Sequence, residues 1–274
     1  MTSLEQRLER ALTAQDEELW SLVRDSHPQV ILNVTLNRGL NEEMAIFLVK
    51  AKNTPAEALG FLAGDIRFKE SYKLKLALCK NPRTPPRVTF SLLKFLRLFD
   101  LGDLTKDQTV PITLRQKIEL ILKEKIPALP AGVKIALVKR SNSSIVMAIM
   151  AQGDKTTINA CLDCAVLTET HLCEIINKHS SRPALIHAIA GHPKWSLRYA
   201  VRYGLIRNFQ TPMTHVTRFI PCMKTKDLRE LYASESLPKS TRPFIFEELQ
   251  ERGESIEEPD EETYEISEED DLAF

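Results

Sequence analysis

Two short stretches, Asn53-Thr54-Pro55 and Asn81-Pro82-Arg83-Thr84-Pro85-Pro86, decide the fold, and their prolines Pro55 and Pro85 stand 30 positions apart. The first leads into an apolar run through Leu59, Phe61 and Leu62, broken at Gly64-Asp65 and followed by a second run from Tyr72 to Cys79. The second restarts the cycle and leads into Val88 to Phe99. Much later, Ser181-Arg182-Pro183 opens a run through Leu185, Ile186, Ile189 and Ala190. Gly191-His192-Pro193 breaks that run, Trp195 to Ile206 forms its partner, and Thr211-Pro212 restarts the cycle 29 positions after Pro183. A Thr or Ser before Pro supplies an acceptor at the N-cap and a residue without an amide hydrogen at the first helical position. Two helices of about 10–12 residues with two tight turns fill roughly 30 residues, and neither buries its apolar face unless stacked on a neighbouring pair. The expected architecture is all-α, a right-handed α-solenoid of short helix pairs.

Outward from these turns the same spacing continues. Ser3 to Arg24 suits one amphipathic helix or two broken near Thr13 to Asp16, with Leu4, Leu8, Leu12, Leu19 and Leu22 on the apolar side. His27-Pro28 closes it. Val30 to Leu36 and Glu42 to Lys50 read as short helices, although the first has the propensity of a strand. Leu101 to Pro111 reads as an insertion loop. Helices are expected over 113–126, 130–139, 143–151, 156–165 and 169–178, with Thr113 as a cap. These elements make about six or seven pairs. The organisation expected is an N-terminal helical cap over 1–50, repeats over 51–233 and a C-terminal cap over 234–250. In that cap Phe244, Ile245 and Phe246 supply the contact, and a disordered acidic tail follows over 251–274.

The formal net charge of zero hides an asymmetry. From Glu247 to Asp271 there are fourteen acidic residues against Arg252 alone, a net of −13, which leaves +13 on the preceding 246 residues. Like charges with little apolar surface stay solvated. No run approaches the roughly 18 apolar residues of a spanning helix. The start, Met1 to Arg10, lacks the apolar core of a signal peptide, and five cysteines without an export signal suit a reducing, cytoplasmic setting.

The alternating units resemble the leucine-rich-variant and HEAT-like repeats of bacterial proteins, which pair an Asn-Pro-x-Thr-Pro turn with an Asp-Pro-x-x-x-Val-Arg turn. Residues 81–86 match the first turn and 53–55 match it in part. The stretch from Gly191-His192-Pro193 to Arg198 resembles the second, with His192 where Asp is usual. The resemblance spans about 50–230 and implies a shape and a binding habit rather than an activity. Some HEAT-like proteins are DNA glycosylases for alkylated bases, and such an activity here would need a carboxylate beside an aromatic cleft. Asp227 lies downstream of the aromatic helix, with no adjacent motif to single it out.

Cys161 and Cys164 form a CxxC with His171, Cys173 and His179 nearby, on paper enough ligands for tetrahedral zinc. The pair lies within an apolar run where i and i+3 share a face, so packing cysteines are the expectation, with Cys79 and Cys222 as embedded parallels. No metal and no cofactor is expected. No HExxH, GxSxG or phosphate-loop signature occurs, and nothing ties His187, His192 or His215 to a nucleophile.

Basic and aromatic residues interleave more suggestively at Lys194, Trp195, Arg198, Tyr199, Arg202, Tyr203 and Arg207, with Phe209 beyond. On one continuous helix Trp195, Tyr199 and Tyr203 would form a stripe beside Arg198 and Arg202. That arrangement suits phosphates and stacked bases. The plainer alternative is that the aromatics are core and the arginines solvate an outer face. The first functional reading is therefore a non-enzymatic scaffold or adaptor gripping a protein or peptide on its concave face. The second is a nucleic-acid-binding protein whose basic body is held in check by its own acidic tail. A glycosylase comes third.

Overall fold

The computed structural model describes residues 3–178 and 180–255; His179 and the acidic stretch 256–274, the greater part of the expected tail, lie outside the described residues. Among the described residues the fold is all-α: eighteen α-helices and no strand. No helix is long and apolar enough to cross a membrane.

The first nine helices are α1 (Leu4–Thr13), α2 (Asp16–Val23), α3 (Pro28–Leu36), α4 (Glu42–Lys50), α5 (Ala56–Gly64), α6 (Tyr72–Lys80), α7 (Pro86–Leu92), α8 (Leu98–Lys106) and α9 (Ile112–Lys125). The next nine are α10 (Ala131–Arg140), α11 (Ser143–Gln152), α12 (Lys155–Leu162), α13 (Glu169–Ile176), α14 (Pro183–Gly191), α15 (Tyr199–Arg207), α16 (Met213–Phe219), α17 (Thr225–Ala233) and α18 (Arg242–Glu251). Their boundaries disclose a tandem duplication. Shifting the first set by 127 residues, the difference between Tyr72 and Tyr199, reproduces the start of α10 to α17 in register, and the interval of α9 contains α18. The ends of α1, α5, α6, α7 and α8 coincide with those of their counterparts as well. Packing divides the described residues in nearly the same place: one compact unit holds those up to Leu129 with Lys139–Ile145, the other Pro130–Val138 and those from Val146 on. Helices 1–4 are thus no special cap, because α10 to α13 repeat them.

Several helices start for a local reason. Ser3 and Gln6 form a capping box on α1, Asn41 caps α4 through the Met44 amide at 2.9 Å, and Ser71 caps α6 through Leu74 at 3.1 Å. The Thr-Pro turns work differently from the expectation. Pro55, Pro85 and Pro212 are themselves the N-caps of α5, α7 and α16, and the threonines before the first two bond backwards. Thr54 Oγ1 donates to the Leu48 carbonyl at 2.5 Å and Thr84 Oγ1 to that of Leu78 at 2.7 Å. Thr84 thereby satisfies an orphan carbonyl at the end of α6, whereas the Leu48 carbonyl also accepts from the Ala51 amide at 3.1 Å. Ser181, one module after Thr54, donates likewise to the Ile175 carbonyl at 2.6 Å, which also accepts from the Lys178 amide at 3.1 Å.

The strongest helix packing runs between a helix and its next or next-but-one neighbour, as in α1 on α3, α4 on α6, α12 on α14 and α13 on α15. Side-chain hydrogen bonds span the same interval. Asn81 Nδ2 donates to the Val49 carbonyl at 2.6 Å, and its counterpart Asn208 donates to that of Ile176 at 2.6 Å. Tyr72 donates to Asp100 and accepts from the Arg97 amide at 3.0 Å; Tyr199 donates to Asp227 and accepts from the Lys224 amide at 3.0 Å. In each module the tyrosine at the first position of one helix latches the first turn of the next-but-one.

Three expected boundaries change. Residues 98–106 form α8 rather than an insertion loop, because Leu101 and Leu104 are buried and Tyr72 holds its first turn. Helix α9 begins after Pro111, so Thr113 is no cap. The acidic segment is folded at its start: α18 runs to Glu251 and buries Ile245 and Phe246, while Phe244 stays more exposed. Arg252, its lone cation, donates to the carbonyls of Met223 at 2.8 Å and Pro221 at 3.1 Å and to Glu248 at 2.8 Å.

Candidate binding surfaces

The basic and aromatic residues of 194–207 do not share one helix. Trp195 lies in a 3-10 turn, Trp195–Leu197, and α15 starts only at Tyr199. The expected stripe is therefore cut between its first and second members. Trp195 is core, 3 % exposed, with Nε1 donating to the Leu162 carbonyl at 2.8 Å and Lys194 Nζ 4.0 Å from its ring centroid. Tyr199 is committed to the Asp227 latch; burial and the neighbouring Asp227 push its phenol above the ordinary range. Because Tyr72 and Asp100 repeat this pair, Asp227 has an architectural role, and nothing about it is peculiar to an aromatic cleft.

The arginines divide. Arg202 Nε donates to the Ser196 carbonyl at 2.5 Å and its guanidinium lies 5.8 Å from the Phe219 ring, so it packs the 3-10 turn onto α15. Arg198 is the N-cap residue of α15; it is exposed, and its side chain has no hydrogen bond or ion pair among the described residues. Arg207 lies 5.8 Å from the Tyr203 ring and donates to Ser236 Oγ at 3.1 Å. It borders a cleft of about 280 Å³ with Ile176, Asn177, Gly204, Asn208 and Phe209. Of the seven residues, Arg207 is the one that borders this cleft.

The cysteines and histidines separate similarly. Burial pushes the Cys79 and Cys161 thiols up to about 12, far from a reactive thiolate. Cys164 Sγ lies 3.6 Å from the Val138 carbonyl, at the position that Asn37 holds in the first module, where Asn37 bonds the Ala11 carbonyl at 3.0 Å. Cys222 is exposed rather than embedded, since Pro221 and Cys222 end a 3-10 turn at the surface. No cluster of three or more His, Cys, Asp or Glu able to hold a metal occurs among the described residues, and His179 lies outside them.

A larger groove, about 650 Å³, lies between α12 and α14 and is bordered by Lys155, Asn159, Asp163, His187, His192 and Pro193. His192 Nε2 lies 3.2 Å from Asp163 Oδ1. Burial lowers the pKa of nearby His215, with Arg218 and His187 adding to the shift. The duplication shows what stands at the same positions of the first module. Asp163, Ala188 and Pro193 correspond to Leu36, Phe61 and Ile66, which are 53 %, 52 % and 83 % exposed. Sequence reading placed Phe61 within the packed run and gave Ile66 no role. Their exposure, on α3, on α5 and in the 3-10 turn Ile66–Phe68, is seen only in the folded chain.

No protein-family model, no curated protein and no solved structure matches the chain.

Proposed function

We propose that the chain is a non-enzymatic protein-interaction scaffold, a HEAT-like right-handed α-solenoid whose first module docks an apolar segment of a partner protein. The stacking of helices on their next-but-one neighbours, as in α1 on α3, α2 on α4 and α12 on α14, supports the solenoid. The observation that carries the function is the exposure of Leu36, Phe61 and Ile66 at positions that border a single groove in the second module. Large apolar side chains grouped at a surface are the usual mark of a protein interface. The nucleic-acid reading loses support from the fate of its own residues, since Trp195, Tyr199 and Arg202 are spent on internal contacts.

The test uses the full chain carrying a photo-crosslinking amino acid at position 61, irradiated in lysate of its own source cells and compared with the same chain bearing Leu36→Glu and Ile66→Glu. A discrete protein adduct that the two glutamates abolish, while the purified chain alone forms no adduct, is the expected result. An adduct that survives the glutamates, no adduct at all, or a nucleic-acid adduct overturns the reading.

A further inference from the structure

All seven residues bordering the Arg207 cleft have counterparts 127 positions earlier, and those counterparts border a cleft too, of about 530 Å³. In the first module Lys80 takes the place of Arg207, Lys50 that of Asn177 and Thr109 that of Ser236. Two more cations join the rim, Lys52 and Arg83. The recurrence makes the depression a feature of the module, formed where the ends of α4 and α6 meet the turn before α9.

The cluster of four cations, by contrast, belongs to the first module, since the second-module cleft has Arg207 as its one lining cation. Lys50, Lys52, Lys80 and Arg83 come from two helix ends and two turns, and all four are exposed. None of their side chains has a hydrogen bond or ion pair among the described residues, where eight ion pairs are found elsewhere. Lysines in a last helical turn complement the helix dipole, which accounts in part for Lys50 and Lys80. It does not account for Lys52 or Arg83, which lie beyond the helices. Nor does the fold need the full set, because the second module closes the equivalent helices with Asn177 for Lys50 and Gln210 for Arg83. Asp107 is the acid that acts electrostatically with Lys80. Its carboxyl is held below the ordinary range first by the Thr109 hydroxyl and amide, and also by Lys80 and Arg115. One carboxylate against four cations leaves the cleft strongly positive, and like charges gathered there gain when an anion enters.

The cleft also has an apolar side, from Val49, Ala77 and Pro82. Its volume falls within the roughly 300–1,000 Å³ of small-molecule sites. We propose that the cleft bordered by Lys50, Lys52, Lys80 and Arg83 binds a small organic phosphate, its phosphoryl oxygens on the cations and its carbon body against Val49, Ala77 and Pro82. Arg83 supplies the forked donor suited to a phosphoryl group and the lysines supply point charge. The site uses none of the residues of the apolar surface on α3 and α5 and does not rest on the protein-partner reading.

The experiment is a titration of the isotope-labelled full chain with phenyl phosphate at physiological salt, read by amide NMR shifts. Saturable shifts confined to residues 49–53, 80–84 and 109 are expected, with inorganic phosphate competing about tenfold more weakly because it leaves the apolar side unused. The variant Lys50→Asn with Arg83→Gln, which copies the second module, should keep the spectrum of the folded protein and bind phenyl phosphate at least ~10-fold more weakly. Shifts that never saturate, that appear equally around Asn177 and Asn208, or that persist in the variant would overturn the proposal. Equal affinity for inorganic phosphate would overturn the organic part of it.

Discussion

A methyl group changes sides between the two modules, and this makes a sharp test of their equivalence. Helix α13 packs on α15 with Ile176 against Gly204; helix α4 packs on α6, where Val49 and Ala77 hold the corresponding positions and border one cleft. A Cβ added at Gly204 would lie 3.2 Å from Ile176 Cγ2 and 3.9 Å from its Cβ. Valine keeps that γ-methyl and loses only the δ-methyl, so any relief has to come from a shift of the shortened side chain by a few tenths of an ångström. The first module shows that the valine–alanine pairing is accommodated in this framework. Alone, Gly204→Ala gains about 1 kcal/mol of helix propensity and loses a similar amount to overpacking, about 1 kcal/mol at the low end of its range. Alone, Ile176→Val costs about 1 kcal/mol as a partly unfilled space. Together they conserve the number of side-chain carbons, the shortened side chain has room to shift away from the new methyl, and stability returns to within about 0.5 kcal/mol of the starting protein.

The coupling expected in this cycle is therefore about +1 kcal/mol, against the ~0.3–0.5 kcal/mol scatter of independent sites. Trp195, buried in the second module, reports its unfolding in urea once Trp20 is replaced by Phe in every member of the set. The mirror cycle, Val49→Ile with Ala77→Gly, is read the same way from Trp20 after Trp195→Phe. Additive single effects in both cycles would refute the reasoning, and with it the claim that the two helix pairs are one packing solution written twice.

The polar contacts make further predictions. Thr84→Val should cost about 1 kcal/mol by orphaning the Leu78 carbonyl, whereas Thr211→Val should be neutral or stabilising, since Thr211 Oγ1 is buried without a partner; urea midpoints decide between them. Asn81→Ala and Asn208→Ala should each cost about 1–3 kcal/mol, because each leaves a helix-end carbonyl unsatisfied, and slowed hydrogen exchange at α4 or α13 should be lost locally. The phenols of Tyr72 and Tyr199 are both raised above their ordinary value, chiefly by burial and then by Asp100 and Asp227. A raised pKa means that the protonated form is favoured in the fold. The contribution is complete below about pH 10 and is lost as pH rises through the folded value. Alkaline unfolding should thus be less steep in Tyr72→Phe with Tyr199→Phe, and an unchanged profile would remove the two latches from the account.

The helices were legible in the sequence because their stops are strong. Pro28, Pro55, Pro86 and Pro183 all sit at or beside helix starts, and Gly64 and Gly191 end α5 and α14. Where the stop was weak the reading failed. Leu101 to Lys106 carries glycine and aspartate in a polar-looking stretch, yet Leu101 and Leu104 bury fully against their neighbours, and packing overrides propensity. The interval of 30 residues was visible in adjacent turns, but the duplication at 127 was not. It rests on scattered identities such as Asn81 with Asn208, Thr84 with Thr211 and Asp100 with Asp227, whose shared roles emerge only once their partners are known. The basic–aromatic run misled for a physical reason. Trp195 and Tyr199 are four apart but separated by a 3-10 turn and an extended Arg198, so helical spacing no longer places them on one face.

The two modules can be compared with each other residue by residue, and the kinds of change they tolerate differ by location. In the helix contacts the exchanges conserve volume or hydrogen bonding: Val49 and Ala77 for Ile176 and Gly204, Thr54 for Ser181, Asn81 kept as Asn208. At the two surfaces the exchanges alter chemistry. Leu36, Phe61 and Ile66 become Asp163, Ala188 and Pro193, and Lys50 and Arg83 become Asn177 and Gln210. A scaffold needs its contacts and not its surface, so a fold written twice is free to keep the first and vary the second. Both the apolar surface and the cation-rimmed cleft lie in the first module. If they were by-products of the architecture, the second module would carry them as well, since it has the same helices, caps and latches. Both proposed surfaces therefore fall within residues 28–109, and the second module serves as the internal control against which each can be tested by exchanging a few side chains.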